Sequence, residues 1–180
     1  MKNNSASINR YVRCGAFCAL VTAGSLPSLS LAGPGHAHGK ADMELTLQGA
    51  SLTGVFKTPM DSLLGFEHAP KTDNQKQSVE QLKTRLSDPT RFFQPTEAAQ
   101  CSPQSVDFQS SLFTGKVTGG HSDLEYRFAF TCANPAALTG LDAVVFGQYP
   151  RLHELRVELV TDKGQRSVTL RKRSRVLSLP

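Results

Sequence analysis

The sequence predicts an α+β domain of antiparallel β-hairpins with one main helix and short helical turns, closed by one disulfide. Three observations support this fold class. Apolar and polar residues alternate in several short segments separated by turn residues, which is typical of half-buried strands. One longer segment carries apolar residues at helical spacing. Two cysteines, Cys101 and Cys132, lie symmetrically about a predicted turn.

The N-terminal segment has the order of a secretory signal peptide. Three basic residues precede a largely apolar run over residues 14–31, and Ser30-Leu31-Ala32 supplies the small residues that a signal peptidase prefers. We therefore expect a signal peptide over residues 1–32, a flexible histidine-containing arm over residues 33–40 and a single periplasmic domain over residues 41–180. An uncleaved anchor is the alternative, although glycine and proline make the run a poor membrane span, and no second such run follows.

The charge of the chain gives little support to nucleic-acid binding. The net charge is +5, but three of the 20 basic residues and none of the 15 acidic residues precede residue 33. The remaining 17 basic and 15 acidic residues leave the expected mature protein close to neutral. Because part of the basic excess belongs to the export signal, we expect no nucleic-acid partner.

The first half of the predicted domain contains a hairpin and the main helix. Residues 42–48 alternate as a strand, residues 49–51 form a turn, and residues 52–58 form the second strand. After a short apolar element, the main helix begins where Thr72 and Gln75 form a capping box. Its apolar stripe consists of Val79, Leu82 and Leu86.

The second half of the predicted domain is mostly β. Val106, Phe108 and Leu112 mark one strand, and a loop over residues 115–121 leads to another strand over residues 124–131. Asn134 is expected to cap a short helical turn that has Pro135 at its first position. The remaining strands are predicted over residues 152–161, 166–171 and 176–179.

Cys101 and Cys132 are expected to form a disulfide. They are the two cysteines outside the signal peptide, and an even number in an oxidising compartment indicates a disulfide. They are equidistant from the turn predicted near residues 116–117, so they face each other across a hairpin. Facing Cα atoms of antiparallel strands lie about 4.5–5.5 Å apart, which a disulfide can span. Two buried free thiols are the alternative.

Two segments of the chain, residues 56–67 and 130–142, have similar patterns. Each passes from a strand through a proline to a short apolar element, a glycine, an apolar residue and an acid. Leu63-Leu64-Gly65-Phe66-Glu67 corresponds in this way to Leu138-Thr139-Gly140-Leu141-Asp142. Internal duplication of a hairpin-plus-helix unit and chance similarity both explain the pattern.

The histidines predict a metal site at one end of the first hairpin. If hairpin pairing continues outward, residue 38 faces residue 61 or 62, and His68 follows one short element later. His36 and His38 point to the same side of an extended segment, so these two side chains can converge with His68. Three neutral imidazoles with water or a carboxylate make a four-coordinate zinc shell. A histidine pair without a ligand role is the alternative.

Other chemical features of the sequence are less specific. His121 lies in a Gly-Gly-His loop and is a candidate ligand or a solvated loop histidine. His153 is interpreted as a surface histidine, and the basic run over residues 171–175 as a solvated strand edge. The sequence contains no nucleophile elbow, phosphate-binding glycine loop or helix-borne zinc-protease motif, so we expect no enzymatic activity.

Beyond the signal segment, the sequence resembles the ZrgA-type periplasmic zinc-binding proteins. The resemblance is carried by His36-Ala37-His38-Gly39-Lys40-Ala41, Leu64-Gly65-Phe66-Glu67-His68-Ala69-Pro70, Arg127-Phe128, Pro135-Ala136-Ala137-Leu138 and Tyr149-Pro150. It implies zinc acquisition or buffering in the periplasm, beside a zinc ABC importer or its binding protein. It also implies His36, His38 and His68 as ligands of a zinc ion that is bound and takes no part in catalysis.

One loop departs from this resemblance. Many members of the family carry a loop crowded with histidine and aspartate, and here the corresponding loop keeps only His121 and Asp123. The sequence therefore does not predict binding of several zinc ions by this loop. The alternative function is a structural or interaction module of the cell envelope that has lost physiological metal binding.

Overall fold

Two β-sheets form the framework of the protein in this computed structural model, which describes residues 38–118 and 120–180. The strands are β1 (Lys40–Gln48), β2 (Ser51–Pro59), β3 (Gln94–Pro95), β4 (Cys101–Gln109), β5 (Asp123–Cys132), β6 (Gly140–Asp142), β7 (Glu154–Thr161), β8 (Gly164–Arg171) and β9 (Val176–Ser178). The main sheet has the order β4-β5-β2-β1-β7-β8, and a small sheet has the order β3-β6-β9. The predicted α+β class is confirmed.

Helices connect several of the strands, and one helix is much longer than the others. The α-helices of the described residues are α1 (Met60–Leu64), α2 (Asp73–Leu86), α3 (Ser111–Thr114) and α4 (Val145–Gln148). The main helix, α2, has the predicted capping box, in which Gln75 N–H donates to Thr72 Oγ1 and Thr72 N–H donates to Gln75 Oε1. The predicted apolar stripe of α2 is buried.

The first hairpin has the predicted turn and an additional neighbour. β1 pairs antiparallel with β2, with Gln48 opposite Ser51. On its other side β1 pairs with β7 in parallel, with Lys40 opposite Glu154, whereas the sequence pattern predicts antiparallel neighbours. Parallel strands begin at the same end of a sheet. β2 is antiparallel to both β1 and β5. The main sheet therefore has one end at which β1, β5 and β7 start and β2 finishes.

Aromatic side chains cover one face of the main sheet. Phe56, Phe93 and Phe128 belong to the buried core, and the rings of Phe93 and Phe128 stack with their centroids 4.9 Å apart. Gly54 makes room for this stack, since a Cβ atom at Gly54 would lie only 2.3 Å from Phe128 Cζ. The opposite face of the sheet is polar and carries ion pairs such as that between Lys57 and Glu125.

The second hairpin differs from the prediction near its turn. The alternation pattern predicts Leu112 in a strand, but Leu112 lies buried in α3. Its N–H donates to the hydroxyl oxygens of Ser110 and Ser122, which are themselves 2.7 Å apart. These serine hydroxyls offer the backbone an alternative to the strand ladder, and alternation of apolar residues does not reveal this competition.

The predicted disulfide is confirmed. Cys101 and Cys132 are bonded to each other and stand directly opposite in the pairing of β4 with β5. The register shifts by one residue between Pro103 and Ser105, on the outer strand of the sheet. Proline lacks an N–H donor, so an edge strand is where a sheet tolerates it.

The two segments of similar sequence take different local structures. The first forms α1, which ends at Gly65 with a left-handed φ of 79°. The second forms a 3-10 turn over Pro135–Ala137, after which Gly140 begins β6. Asn134 precedes this turn as predicted, but its side chain donates to Ala98 O and does not cap the turn.

The N-terminal predictions fall outside the described residues. The proposed signal peptide, most of the arm and His36 all lie within residues 1–37. The division of the chain into signal peptide, arm and domain therefore stays a prediction. Within the described residues, no helix has the length and apolar character needed to cross a membrane.

Candidate metal centre

The four histidines of the described residues lie at one end of the main sheet. His38 precedes β1 by two residues, His121 precedes β5 by two residues and His153 directly precedes β7. These three strands begin at the same end. His68 lies in the connection between α1 and α2, which leaves the sheet from the end of β2. Residues far apart in the chain are brought to this end by the strand directions.

His38 contacts Asp61, as extension of the first hairpin predicts. The β1–β2 register places Asp42 opposite Lys57, so the same register continued outward places residue 38 opposite residue 61. His38 Nδ1 lies 3.3 Å from Asp61 Oδ2. The hairpin is held at this point by Gly39 N–H, which donates to the buried Ser62 Oγ at 3.0 Å.

Gly39 lets the start of β1 approach the start of β7 closely. His153 N–H donates to Gly39 O at 2.7 Å. Gly39 has a φ of +77°, and a Cβ atom there would lie 2.6 Å from His153 Cδ2 and 2.8 Å from Arg151 O. A side chain at residue 39 would therefore push apart the segments that carry His38 and His153.

His121 contacts Glu67, which lies in the connection between α1 and α2. His121 Nδ1 lies 2.5 Å from Glu67 Oε1, and the Glu67 side chain is only 12% exposed. The other oxygen, Glu67 Oε2, is buried and has no hydrogen-bond partner among the described residues. Burial of an unpaired carboxylate oxygen is costly, so this position favours a hydrogen-bond donor or a cation. The His121 loop thus reaches the segment that contains His68.

His68 has one ring nitrogen held by the backbone. Its Nδ1 lies 2.8 Å from Ala69 O, and its ring lies 5.5 Å from the ring of Phe66, centroid to centroid. A carbonyl oxygen can only accept a hydrogen bond, so this contact places the proton of the neutral ring on Nδ1. Nε2 is then the nitrogen with a lone pair for a metal ion.

Arg151 brings a positive charge to the same end of the sheet. Its Nη1 lies 3.8 Å from Asp61 Oδ2, the oxygen that His38 also contacts. The guanidinium group rests where a side chain on Gly65 would otherwise be, because a Cβ atom at Gly65 would lie 3.0 Å from Arg151 Nε. Asp61 is therefore shared between a histidine and an arginine.

These residues offer the donor atoms that zinc prefers. Imidazole nitrogen and carboxylate oxygen are both common zinc ligands. In zinc proteins, the ring nitrogen away from the metal usually donates to a carboxylate or a backbone carbonyl. His38, His68 and His121 each have Nδ1 beside such an oxygen. Within residues 38–118 and 120–180, however, no three metal-ligating side chains are arranged to hold a metal ion together.

The fold brings further residues to this end of the sheet, and the sequence did not indicate their position there. The contact of His38 with Asp61 follows from extending the predicted hairpin, whereas the contact of His121 with Glu67 follows only from the fold. Arg151 and His153 reach this end through the parallel pairing of β1 with β7. Alternating residues do not specify that pairing. The nearest sequence signal is the glycine of His38-Gly39, which marks a close approach of two backbones.

Comparison with known proteins gives one family match. The model of a family described as ZrgA family zinc uptake protein matches residues 35–179. This range includes the whole metal-centre candidate, from His36 and His38 to His153. No curated protein matches the chain.

Proposed function

Because the chain belongs to the ZrgA family of zinc uptake proteins, we propose that it is a non-enzymatic periplasmic protein that binds zinc for acquisition or buffering. The ligands in this proposal are His36, His38, His68 and His121. Zinc is the cargo of the protein and takes no part in catalysis. A zinc ABC importer or its binding protein is the partner that would receive the ion.

One observation carries this proposal. Each of the three proposed ligands within the described residues has Nδ1 beside an oxygen acceptor, namely Asp61 for His38, Ala69 O for His68 and Glu67 for His121. In zinc proteins, such a contact sets the ring orientation and makes Nε2 the nitrogen that binds the metal. His153 lies at the same end of the sheet and is not a proposed ligand, so its replacement serves as a control for replacements of the proposed ligands.

The carboxylates support the same proposal. Asp61 and Glu67 both lie in the connection between β2 and α2, so one short segment presents two negative charges and His68. The buried oxygen of Glu67 lacks a hydrogen-bond partner in the described part of the chain. A divalent cation near this segment would compensate that charge. The donor set therefore fits zinc.

An envelope module without physiological metal binding is the second candidate. It is favoured by the short histidine-poor loop around His121 and by Arg151, whose positive charge lies beside Asp61. The two candidates differ in one measurable property, which is the amount of metal that the purified protein retains.

Equilibrium dialysis against a panel of divalent metals, read by elemental analysis, separates the two candidates. The proposal predicts about one tightly held zinc per chain, with zinc retained in preference to magnesium and calcium, because nitrogen donors favour zinc. A parallel thermal melt should shift upward with zinc concentration, since the ion stabilises the folded state. Retention of no zinc at micromolar concentrations, together with an unchanged melt, would favour the envelope module.

A further inference from the structure

We infer that Arg151 lowers the zinc affinity of the site by occupying Asp61, so that bound zinc can be released to a partner. This inference rests on the proposed zinc-binding function and names a regulatory residue of the same site. It starts from the sharing of one carboxylate oxygen. Asp61 Oδ2 contacts both His38 Nδ1, at 3.3 Å, and Arg151 Nη1, at 3.8 Å.

Asp61 lies beside Nδ1 of His38 and can orient its ring. A carboxylate that accepts from the Nδ1–H of a ligating histidine orients the ring and makes Nε2 a better electron donor. A guanidinium group beside the same carboxylate offsets its negative charge. Asp61 therefore supports His38 less strongly while Arg151 remains in place.

The charge of Arg151 also repels an incoming zinc ion directly. The guanidinium group of arginine carries a positive charge. A zinc ion held by His38 would lie at the same end of the sheet as the Arg151 guanidinium, since both residues contact Asp61 Oδ2. Like charges repel each other even in water. Zinc therefore binds more weakly while Arg151 stays beside Asp61 and more tightly when Arg151 turns away.

Gly65 provides the space in which the Arg151 side chain lies. Gly65 ends α1 with a φ of +79° and has no side chain, and the Arg151 guanidinium occupies the adjoining space. The Arg151 side chain remains 62% exposed, so it can turn toward solvent without disrupting the core. An exposed, movable cation beside a ligand-supporting carboxylate can compete with an incoming metal ion.

Arg151→Gln tests this inference against Arg156→Gln. Both arginine side chains are 62% exposed, but Arg156 pairs with Glu158 on β7. We expect Arg151→Gln to bind zinc about tenfold more tightly than the wild type in low salt, because it removes both the charge that offsets Asp61 and the direct repulsion of the ion. Arg156→Gln should match the wild type. Arg151→Lys retains the charge and should remain within about threefold of the wild type.

The route through Asp61 has its own test. In an Asp61→Asn background only the direct repulsion between Arg151 and zinc remains, so Arg151→Gln should change zinc affinity by less than about threefold. A full tenfold effect in that background would overturn the route through Asp61. In metal-free protein, Arg151→Gln should also shift the imidazole NMR signals of His38, whereas Arg156→Gln should leave them in place.

The outcomes separate this inference from the function on which it rests. If the wild type binds zinc and Arg151→Gln binds it equally or more weakly, Arg151 does not oppose zinc binding and the inference fails alone. If the wild type and all variants fail to bind zinc, the proposed function fails with it. Raised ionic strength should reduce the difference between Arg151→Gln and the wild type, because salt screens exposed charges.

Discussion

His38, His68 and His121 share one local arrangement although they lie on separate segments. Each ring places Nδ1 beside an oxygen acceptor, which is a side-chain carboxylate for two of them and a backbone carbonyl for His68. A single residue also determines how closely the segments of His38 and His153 approach each other. Gly39 lies between His38 and β1, and it accepts a hydrogen bond from His153 N–H.

Replacement of Gly39 by alanine should destabilise the protein more than the same replacement of Gly49. Both glycines have positive φ, so both replacements impose a strained backbone. At Gly39 the new methyl group would also meet His153 and Arg151 below 3 Å, whereas nothing lies within 4 Å at Gly49. Urea unfolding should give a loss of about 1 kcal/mol for Gly49→Ala and at least about 1 kcal/mol more for Gly39→Ala. Equal losses would contradict the close approach at Gly39.

Tyr126 makes the stability of the fold vary with pH in the alkaline range. Burial of the phenol, followed by the nearby charge of Asp88, raises the pKa of Tyr126 above its usual value. The raised pKa means that the folded state favours the neutral phenol, so its stabilising contribution is complete below about pH 10 and is lost as pH rises further. Tyr126→Phe should therefore show a shallower fall of unfolding free energy between pH 10 and 11.

The same replacement has a control at neutral pH. Tyr126 OH has no hydrogen-bond partner among the described residues, so its removal leaves no described donor or acceptor unpaired. We expect Tyr126→Phe to be as stable as the wild type at pH 7 to within about 1 kcal/mol. If the unfolding free energy of Tyr126→Phe falls as steeply as that of the wild type above pH 10, Tyr126 does not cause the loss of stability at alkaline pH.

At the scale of elements, the two hairpins account for what the sequence could predict. The turn after Gln48 specifies the register of the first hairpin, and the symmetric cysteines specify the pairing at the open end of the second. Both pairings and the disulfide are found as predicted, whereas Leu112 near the second turn lies in α3. The contact of His38 with Asp61 follows from extending the first register. The parallel contact of β1 with β7 could not be predicted, because alternation reveals which face of a strand is buried and not which strand lies beside it.

The disulfide should contribute strongly to the stability of the second hairpin. Cys101 and Cys132 are 31 residues apart in the sequence, and closing a loop of this length is worth about 3–4 kcal/mol in the chain-entropy description. The double replacement Cys101→Ala with Cys132→Ala should lower the unfolding free energy by about this amount, measured in urea. Reductant should destabilise the wild type and leave the double variant unchanged. A wild type that reductant does not affect would contradict this role.

At the scale of the whole molecule, strand direction assembles the candidate site. The antiparallel pairs of β2 with β1 and β5, and the parallel pair of β1 with β7, bring the segments of His38, His121 and His153 to one end. The aromatic core lies against one face of the sheet and holds these strands in place. A rigid sheet thus presents histidines and carboxylates from connections that are distant in the sequence.

The most direct test of the zinc-binding account is isothermal titration with zinc of the wild type and of His68→Ala at pH 7.5. The wild type should bind about one zinc ion, and His68→Ala should bind it more weakly by on the order of 100-fold, because one of the four proposed nitrogen donors is lost. His153→Ala, which removes a histidine at the same end of the sheet that is not a proposed ligand, should retain wild-type affinity. Equal affinities of the wild type and His68→Ala would remove His68 from the site and contradict the account.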